Sequence, residues 1–314
     1  MGSLLAIETA NHRGYDRDVA DTSLYATKLG PVAASVAKNF DQAVYIGDIV
    51  SVNGQPAKGT VMEMVNAVFL RPNPTPGQAI ADITRGGLIE WYFEILDING
   101  NLIGSIRVSG ANGGSTAPPG QTAQIRQQAS YIVIGGNGAF LGARGYMGVA
   151  TSAVNDIQPP AASITEDPAN RRAMPGGGSL HQSIYLLPMF TPEIVATGGG
   201  PAIVHGSDSS LVTTAKPAKA GEVLTLYASG LGPTRPSPEP GQPFAANPLP
   251  IVSSPVQVVV NGVSSDALYA GGYPGAVNGY QVNFRIPDGV ASGMASIHLT
   301  SAWIAGSDVK IPIQ

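Results

Sequence analysis

The stretch from Tyr131 to Thr151 reads YIVIGGNGAFLGARGYMGVAT and decides the fold class. Two runs rich in β-branched and aromatic residues flank a glycine-rich centre, and Asn137-Gly138 supplies residues that tolerate the positive φ angles of a tight hairpin. A phosphate-binding loop would be followed by a helix and usually by a lysine, whereas this run continues with β-forming residues and contains no lysine. The stretch therefore predicts a β-hairpin, and hairpin geometry alone explains its glycines.

The whole chain has the composition of an all-β protein. Of its 314 residues, 40 are glycine and 26 are proline, and they separate short apolar runs that show no sustained helical periodicity. The first group of strand-like runs suits an antiparallel barrel and spans 43–52, 61–70, 88–98, 102–109, 129–134 and 140–151. The second group is typical of a β-sandwich and spans 223–228, 255–261, 266–270, 280–286, 295–300 and 308–313. We therefore expect a barrel at 1–154, a linker at 155–183 and a sandwich at 184–314.

Charge and residue usage exclude several classes of partner. A formal net charge of −4 with 17 scattered basic residues gives no electrostatic footprint for nucleic acid. No run approaches the roughly 18–20 apolar residues of a membrane span. The chain has no cysteine, and its four histidines are far apart without metal-ligand spacing, so each is expected to be a surface or structural residue. No metal and no cofactor are expected.

Residues 135–146 read GGNGAFLGARGY and resemble the closing hairpin of the allene oxide cyclase-like and dirigent barrel superfamily, whose signature is approximately GGTGxFxxARGxA. The resemblance implies an antiparallel barrel of about eight strands, often trimeric, with an apolar lumen. In that superfamily the lumen cyclises a reactive small molecule or steers the coupling of radicals. Ala139 stands where many lignan-forming members have an acidic residue, so a lignan function is not carried over.

The C-terminal hundred residues carry a second resemblance. Residues 221–233 read GEVLTLYASGLGP, and residues 255–293 read PVQVVVNGVSSDALYAGGYPGAVNGYQVNFRIPDGVASG. They are similar to an immunoglobulin-like C-terminal domain of acidobacterial secreted proteins, whose motif is approximately LxxYGxGLGP…VxVxxxGxxAxVLYAGxxPGxxGxYQxNxxxPxGxxxG. This resemblance implies an immunoglobulin-like sandwich and export. Met1-Gly2-Ser3 lacks the features of a signal peptide, so either the protein is cytoplasmic or its leader is absent from this sequence. Because the resemblance implies export, we expect an extracellular or cell-surface protein.

The run from Leu88 to Ile95 alternates between an apolar and a polar face. Ile89, Trp91, Phe93 and Ile95 share one face, and Glu90, Tyr92 and Glu94 share the other. If the polar face lines a barrel, desolvation and mutual repulsion raise the pKa of one carboxylate and make it a general acid. If that face meets solvent, which is the default for a half-buried strand, the residues are an ordinary polar surface. The sequence leaves both interpretations open.

Four further residues complete the candidate site. Arg144 lies in the hairpin motif, where a guanidinium binds a carboxylate, stabilises an oxyanion or pairs with Glu90 or Glu94. Glu63 and Arg107 are single charges inside apolar strands, a pattern that more often marks a solvent-facing residue. We expect catalytic roles for Arg144, Glu90 and Glu94, and ligand-binding roles for Tyr92, Tyr146, Glu63 and Arg107.

Two functions of different classes fit this sequence. The first is an exported two-domain protein whose barrel binds a small apolar molecule and guides its cyclisation or stereoselective coupling, as a cyclase-like or isomerase-like protein without a cofactor. The second is a non-enzymatic structural, adhesive or filament-forming subunit of the cell surface with a cell-surface partner. Either class allows a homo-oligomer, as a trimer or a filament. Carbohydrate binding is a third hypothesis and requires an exposed aromatic platform.

Overall fold

The computed structural model describes residues 2–16, 40–69, 84–115, 130–151, 178–239 and 241–314. Within these ranges the regular secondary structure is entirely β, and no helix is long and apolar enough to cross a membrane. The first sheet contains β1 (Ser3–Asp16), β2 (Phe40–Val52), β3 (Gln55–Pro56), β4 (Lys58–Phe69), β5 (Thr84–Leu96), β6 (Leu102–Ser115), β7 (Ser130–Gly138), β8 (Arg144–Thr151) and β9 (Gly178–Leu187).

This sheet closes into an eight-stranded antiparallel barrel. The strand order is β1-β9-β8-β7-β6-β5-β4-β2, and β1 pairs with β2 on its other side, while the short β3 pairs with β2. Alternate residues of each strand therefore face a closed interior, where one large cluster of buried apolar side chains lies. The expectation of an all-β chain with a barrel followed by a sandwich is confirmed.

Two barrel strands lie outside the six runs predicted from the sequence, and one of them moves the expected domain boundary. Strand β9 occupies the end of the expected linker and the start of the expected sandwich, yet it pairs with β8 and β1. Its inward positions are Leu180, Gln182, Ile184 and Leu186, so a buried glutamine interrupts the apolar alternation that would have revealed the strand. The barrel thus extends to Leu187, and residues 155–177 of the expected linker lie outside the described ranges.

The two ends of the barrel differ in their connections. At one end, which we call the proximal end, short turns join β2 to β4, β5 to β6 and β7 to β8, and β9 continues into the sandwich. At the opposite, distal end lie the strand ends that are joined by residues 17–39, 70–83, 116–129 and 152–177. A second hairpin joins β5 to β6, as Asn99-Gly100 in the sequence indicates: Asp97 Oδ1 accepts hydrogen bonds from the backbone N–H groups of Asn99 (2.8 Å) and Asn101 (2.7 Å), and Gly100 has a φ of 85°.

The β7–β8 hairpin is confirmed, but its turn is longer than the Asn137-Gly138 pair predicts. The chain reverses over residues 139–143, and the positive φ angles fall on Gly138 (59°) and Gly142 (69°). Phe140 lies in this turn rather than on the strand, where its backbone N–H donates to the Asn137 carbonyl at 3.0 Å. Its side chain is 1% exposed and fills the proximal end of the barrel.

The second unit is a β-sandwich built from short strands. They are β10 (Glu193–Ile194), β11 (Ala196–Thr197), β12 (Gly200–Pro201), β13 (Ile203–His205), β14 (Val223–Ser229), β15 (Thr234–Arg235), β16 (Ile251–Val252), β17 (Val256–Val260), β18 (Val263–Asp266), β19 (Tyr269–Gly272), β20 (Gly279–Arg285), β21 (Gly293–Ser301), β22 (Ile304–Ala305) and β23 (Val309–Ile313). A sheet centred on β14 and β20 and a sheet centred on β17 and β21 share one apolar core. As the alternation predicts, Tyr280, Val282, Phe284 and Ile286 are buried in it.

A strained turn of the sandwich docks onto the proximal end of the barrel. Ala302 and Trp303, between β21 and β22, have φ angles of 49° and 63°, a conformation that costs a non-glycine residue roughly 1–2 kcal/mol. Ala302 and Ile304 belong to the buried core of the barrel, and the Trp303 Nε1–H donates to Gln55 Oε1 at 3.0 Å. Burial and this hydrogen bond offset the strain and join the two units.

Replacing Phe140 tests how much the proximal end depends on this side chain. We expect Phe140→Ala to lower the free energy of unfolding by about 3–5 kcal/mol, because the buried ring leaves a cavity. Its neighbour Leu141 is 56% exposed, so Leu141→Ala is a matched control and should cost about 0.5 kcal/mol or less. Urea titration followed by circular dichroism measures both, and equal losses for the two variants would contradict the assignment.

Candidate functional site

The polar face of β5 lies on the outside of the barrel, which is the solvent-facing one of the two interpretations that the sequence left open. Ile89, Trp91, Phe93 and Ile95 are buried inside, so the alternating Glu90, Tyr92 and Glu94 are on the outer face. Glu90 is exposed and lies 3.6 Å from the equally exposed Arg107 of β6. An exposed ion pair of this kind contributes little to stability, and the Glu90 carboxylate in it remains hydrated.

Arg144 and Tyr146 also lie outside the barrel, at the start of β8. The Arg144 Nη1–H donates to the neighbouring Ala143 carbonyl at 3.0 Å, and among the described residues Arg144 pairs with neither Glu90 nor Glu94. The Tyr146 ring stacks on Tyr185 of β9 with centroids 5.2 Å apart. Six of the seven residues expected at the site therefore do not face the interior, because polar side chains on a closed barrel keep their hydration by pointing outward.

The seventh residue, Glu63, lies inside. In β4 the inward positions are Val61, Glu63 and Val65, and the Cα partners of Glu63 are the inward-facing Tyr45 of β2 and Trp91 of β5. Glu63 is 8% exposed near the middle of its strand, within an otherwise apolar part of the interior. The structure thus places inside the barrel a charged residue whose sequence pattern more often marks a solvent-facing position.

Burial sets the protonation state of Glu63. Desolvation raises the pKa of its carboxyl from the ordinary 4.5 to about 8, because the charged form loses its hydration in the apolar interior. At neutral pH the group is therefore mainly a neutral carboxylic acid. It donates one hydrogen bond and has a proton available for a bound oxygen atom.

Trp91 and Tyr131 form an aromatic wall next to Glu63. Their ring centroids are 6.2 Å apart at 80°, and Trp91 also stacks on Phe93 at 5.9 Å. Burial raises the pKa of Tyr131 to about 12, the charge of Glu63 raises it further, and the Trp91 N–H lowers it. The Trp91 N–H is close enough to the Tyr131 oxygen to influence the pKa of Tyr131, but the two groups do not have hydrogen-bond geometry. The buried Trp91 Nε1 therefore has no acceptor among the described residues.

A second polar group lies across the interior on β1 and β9. Thr9 Oγ1 is 2.7 Å from His12 Nε2 and 3.4 Å from Gln182 Nε2, and all three side chains are buried. Residues three apart in a regular strand face opposite sides, but β1 shifts register between Ala10 and Arg13, and Asn11 has a φ of 54°. This bulge turns His12 inward, so of the two places expected for a histidine, surface or structural, His12 takes the structural one.

Gly47 makes room for the His12 ring. A Cβ atom at Gly47 would lie 2.5 Å from His12 Nε2 and 2.8 Å from Cε1, closer than real side chains approach. Gly47 lies two residues from Tyr45, the cross-strand neighbour of Glu63, so the two polar groups meet on β2. We call the resulting set the interior polar band; it comprises Gln182, Thr9, His12, Tyr45, Glu63, Trp91 and Tyr131.

The interior polar band holds hydrogen-bonding capacity that the protein itself does not use. Among the described residues, Trp91 Nε1–H finds no acceptor and Gln182 Oε1 finds no donor, although both atoms are buried. Leaving such a group unpaired costs roughly 1–3 kcal/mol, so these atoms are unusual in a packed barrel. Together with the neutral Glu63 carboxyl, which both donates and accepts, they offer two donors and two acceptors within apolar walls.

A separate cavity of about 640 Å³ lies where the β7–β8 turn meets the sandwich. The polar side chains that line it are already engaged: the Tyr280 hydroxyl donates to the Gly232 carbonyl at 2.7 Å, and the Ser301 hydroxyl donates to the Leu231 carbonyl at 2.7 Å. Asn278 Oδ1 accepts from the Gly230 N–H at 3.2 Å. These groups fix the junction, so the interior polar band is the better candidate site.

Comparison of the chain with protein-family models, with curated proteins and with solved structures gives no match. Within the described ranges there is also no group of three or more histidine, aspartate or glutamate residues that could hold a metal ion. The site is therefore characterised by its own geometry.

The pH dependence of stability tests the burial of Glu63. Between about pH 4.5 and 8 the folded chain keeps a proton on Glu63 that the unfolded chain has released, so this group destabilises the fold progressively as the pH rises. Glu63→Gln has no such titration. We expect the stability of this variant relative to the parent to increase by about 3–5 kcal/mol from pH 5 to pH 9.

Urea titrations at pH 5, 7 and 9 measure this difference, and Glu90→Gln on the outer face is the matched control. We expect the control to follow the parent within about 0.5 kcal/mol at every pH. Parallel profiles for the parent and Glu63→Gln would show that Glu63 is hydrated in the folded protein.

Proposed function

We propose that the interior polar band is the binding site for a small, mainly apolar molecule that carries an oxygen atom. The observation that supports this proposal is the presence of unpaired buried groups, Trp91 Nε1 and Gln182 Oε1, beside the buried Glu63. Small-ligand sites combine apolar walls with a few polar groups that fix orientation, and this interior has that composition. Phe140, Ala302 and Ile304 fill the proximal end, so the proposed site lies on the distal side of these three side chains.

The same arrangement supports a role in cyclisation or stereoselective coupling. A neutral Glu63 carboxyl can transfer its proton to a carbonyl oxygen of the ligand, which makes the adjacent carbon more electrophilic and favours attack by a hydroxyl of the same molecule. The new C–O bond replaces the carbonyl π bond, and the proton that the hydroxyl releases returns to the Glu63 carboxylate. The rings of Trp91, Phe93 and Tyr131 restrict the ligand to a few folded conformations, so geometry would select the product. This chemistry needs no cofactor, and it agrees with the resemblance of residues 135–146 to cyclase-like barrels.

The proposed setting is extracellular or at the cell surface. This part of the proposal depends on the resemblance of residues 221–293 to a domain of secreted proteins. The sandwich would then be a module attached to the proximal end, where Trp303 and Ala302 dock.

A second candidate function is that of a self-associating surface subunit, and one observation favours it. Leu4, Tyr185, Tyr146 and Ile132 are cross-strand neighbours on the outer face of β1, β9, β8 and β7. Leu4, Tyr146 and Ile132 are exposed, and none of the four residues is charged. Such an uncharged apolar row fits a contact with a second copy of this chain, either in a closed oligomer or in a filament.

A matched pair of ligands tests the proposed interior site. We expect 2-acetylnaphthalene to bind more tightly than 2-isopropylnaphthalene, because the ketone oxygen accepts a hydrogen bond that the hydrocarbon cannot accept. Glu63→Leu should weaken binding of the ketone by roughly 5–20-fold and leave the hydrocarbon unaffected, since one buried hydrogen bond is lost. Isothermal titration calorimetry gives the affinities, and the indole ¹⁵N–¹H signal of Trp91, assigned with Trp303→Phe, reports the location.

Glu90→Leu provides the control, because it makes the same change on the outer face of the neighbouring strand. It should alter neither affinity. Absence of binding for both compounds, or binding that leaves the Trp91 indole signal in place, would refute the interior site.

Oligomeric state tests the second candidate. If the outer row mediates self-association, Ile132→Lys should convert the assembly to monomers at concentrations where the parent is associated, because a charge replaces an apolar contact. Met294→Lys changes an equally exposed apolar residue on the sandwich and should have no effect. Light scattering after size-exclusion chromatography measures both, and a monomeric parent protein would eliminate this candidate.

A further inference from the structure

The sandwich has a cleft on its surface whose lining residues are not needed for its apolar core. The cleft has a volume of about 490 Å³, within the roughly 300–1,000 Å³ of small-ligand sites, and lies on the outer face of the sheet that contains β14, β19 and β20. Its lining residues are Leu249, Tyr269, Gly272, Tyr273, Pro274, Gln281 and Asn283. None of these side chains is charged.

Two amides form the floor of the cleft. Gln281 and Asn283 alternate with the core residues of β20 and therefore face outward. Asn283 Oδ1 accepts hydrogen bonds from Thr225 Oγ1 at 2.9 Å and from Gln281 Nε2 at 3.1 Å. These contacts fix both amides and leave Asn283 Nδ2 and Gln281 Oε1 without a protein partner among the described residues. The floor thus presents a donor and an acceptor side by side.

Tyrosine rings form the walls. Tyr273 is 45% exposed and meets Tyr227 edge to face, with centroids 5.6 Å apart at 85°. The phenol end of Tyr269 lies over Gly271, where a Cβ atom would be 2.7 Å from Tyr269 Cζ. Any residue larger than glycine at position 271 would displace this ring. Gly271 therefore allows the Tyr269 ring to lie close to the sheet.

The loop that carries Tyr273 is held in place by backbone hydrogen bonds. The N–H of Tyr273 donates to the Gly279 carbonyl at 2.8 Å, and the N–H of Gly275 donates to the Phe244 carbonyl at 2.9 Å. Gly272 donates in the same way to Pro250 at 2.8 Å. The cleft is therefore preorganised, which reduces the entropy lost when a ligand binds.

The cleft also accounts for residues of the sequence motif that the sandwich core leaves unexplained. In the segment from Tyr269 to Asn283, Tyr280 and Val282 are buried and belong to the core. Tyr269, Gln281 and Asn283 match specified positions of the immunoglobulin-like motif that this segment resembles. Their side chains face outward and are not part of that core. A ligand that contacts the outer face would explain why a tyrosine, a glutamine and an asparagine occupy these three positions.

We propose that this cleft binds a neutral saccharide. A sugar ring has a face of C–H groups that packs against an aromatic ring, and its hydroxyls donate and accept hydrogen bonds at adjacent positions, as the two amides do. The absence of charged lining residues favours a neutral sugar over an acidic polysaccharide or a phosphorylated ligand. Carbohydrate binding requires an exposed aromatic platform. Trp91 is buried in the barrel and Trp303 is partly buried at the junction, so the tyrosines of the sandwich form this platform.

Calorimetry with the full chain tests this proposal against a defined panel: cellohexaose, laminarihexaose, xylohexaose, mannohexaose, maltohexaose and, as the anionic member, hexagalacturonate. We expect at least one neutral hexasaccharide to bind with a Kd of roughly 10 µM to 1 mM. Tyr273→Ala should weaken that binding about tenfold by removing the stacking ring. Met294→Ala removes an exposed apolar side chain of the sandwich outside the cleft and should leave the affinity unchanged.

Asn283→Asp is the more selective variant. Its carboxylate still accepts the two hydrogen bonds from Thr225 and Gln281, but it lacks the Nδ2–H donor, so the fold is retained and the affinity should drop about fivefold or more. If Tyr273→Ala fails to fold, the affinity of Asn283→Asp still tests whether the saccharide binds in the cleft. Absence of binding to every neutral sugar, binding of hexagalacturonate alone, or equal affinities of Asn283→Asp and the parent would each overturn the proposal.

Discussion

Pairing of β1 with both β2 and β9 is the constraint on which the barrel depends. This double pairing removes the edges of the sheet and converts its two faces into an inside and an outside. Because side chains alternate along every strand, a shift of one residue in any pairing would exchange the two sets. Closure therefore forces Glu63 into the apolar interior and sends Glu90, Tyr92 and Glu94 to the surface.

The interior polar band works against the stability that closure provides. A barrel filled only with apolar side chains would avoid the desolvation of Glu63 and the unpaired atoms of Trp91 and Gln182. Sequences usually depart from good packing at functional sites, where the lost stability is balanced by binding or chemistry. The bulge in β1 and the glycine at position 47, which together accommodate His12, show that the backbone is shaped around this band.

The two units divide the molecule into separate sites. The strained Ala302-Trp303 turn and Phe140 fill the proximal end of the barrel, so the junction attaches the two units to each other. The tyrosine-lined cleft lies on the outer sheet face of the sandwich and depends on none of the barrel residues. The proposed binding of a saccharide by the sandwich and the proposed binding of an apolar molecule by the barrel can accordingly be tested one at a time.

The sequence by itself determined the all-β class, most of the strands, the two hairpins and the buried face of the segment from Tyr280 to Ile286. In these segments the apolar and polar residues alternate clearly, so local pattern and tertiary environment agree. The same logic gives β5 two unequal faces and places its polar face outward by default. Strands β1 and β9 escaped prediction because Thr9, His12 and Gln182 occupy inward positions and interrupt the pattern.

Only the tertiary structure decided the position of Glu63. Its neighbours Val61, Met62, Met64 and Val65 are apolar on both faces of β4, so the alternation carries no information about which face is inside. The register with Tyr45 and Trp91, fixed by closure of the whole sheet, settles that question. The cleft on the sandwich depends on tertiary structure for a similar reason: Tyr227, Tyr273 and Asn283 come together only when β14, β20 and the preceding loop meet on one face.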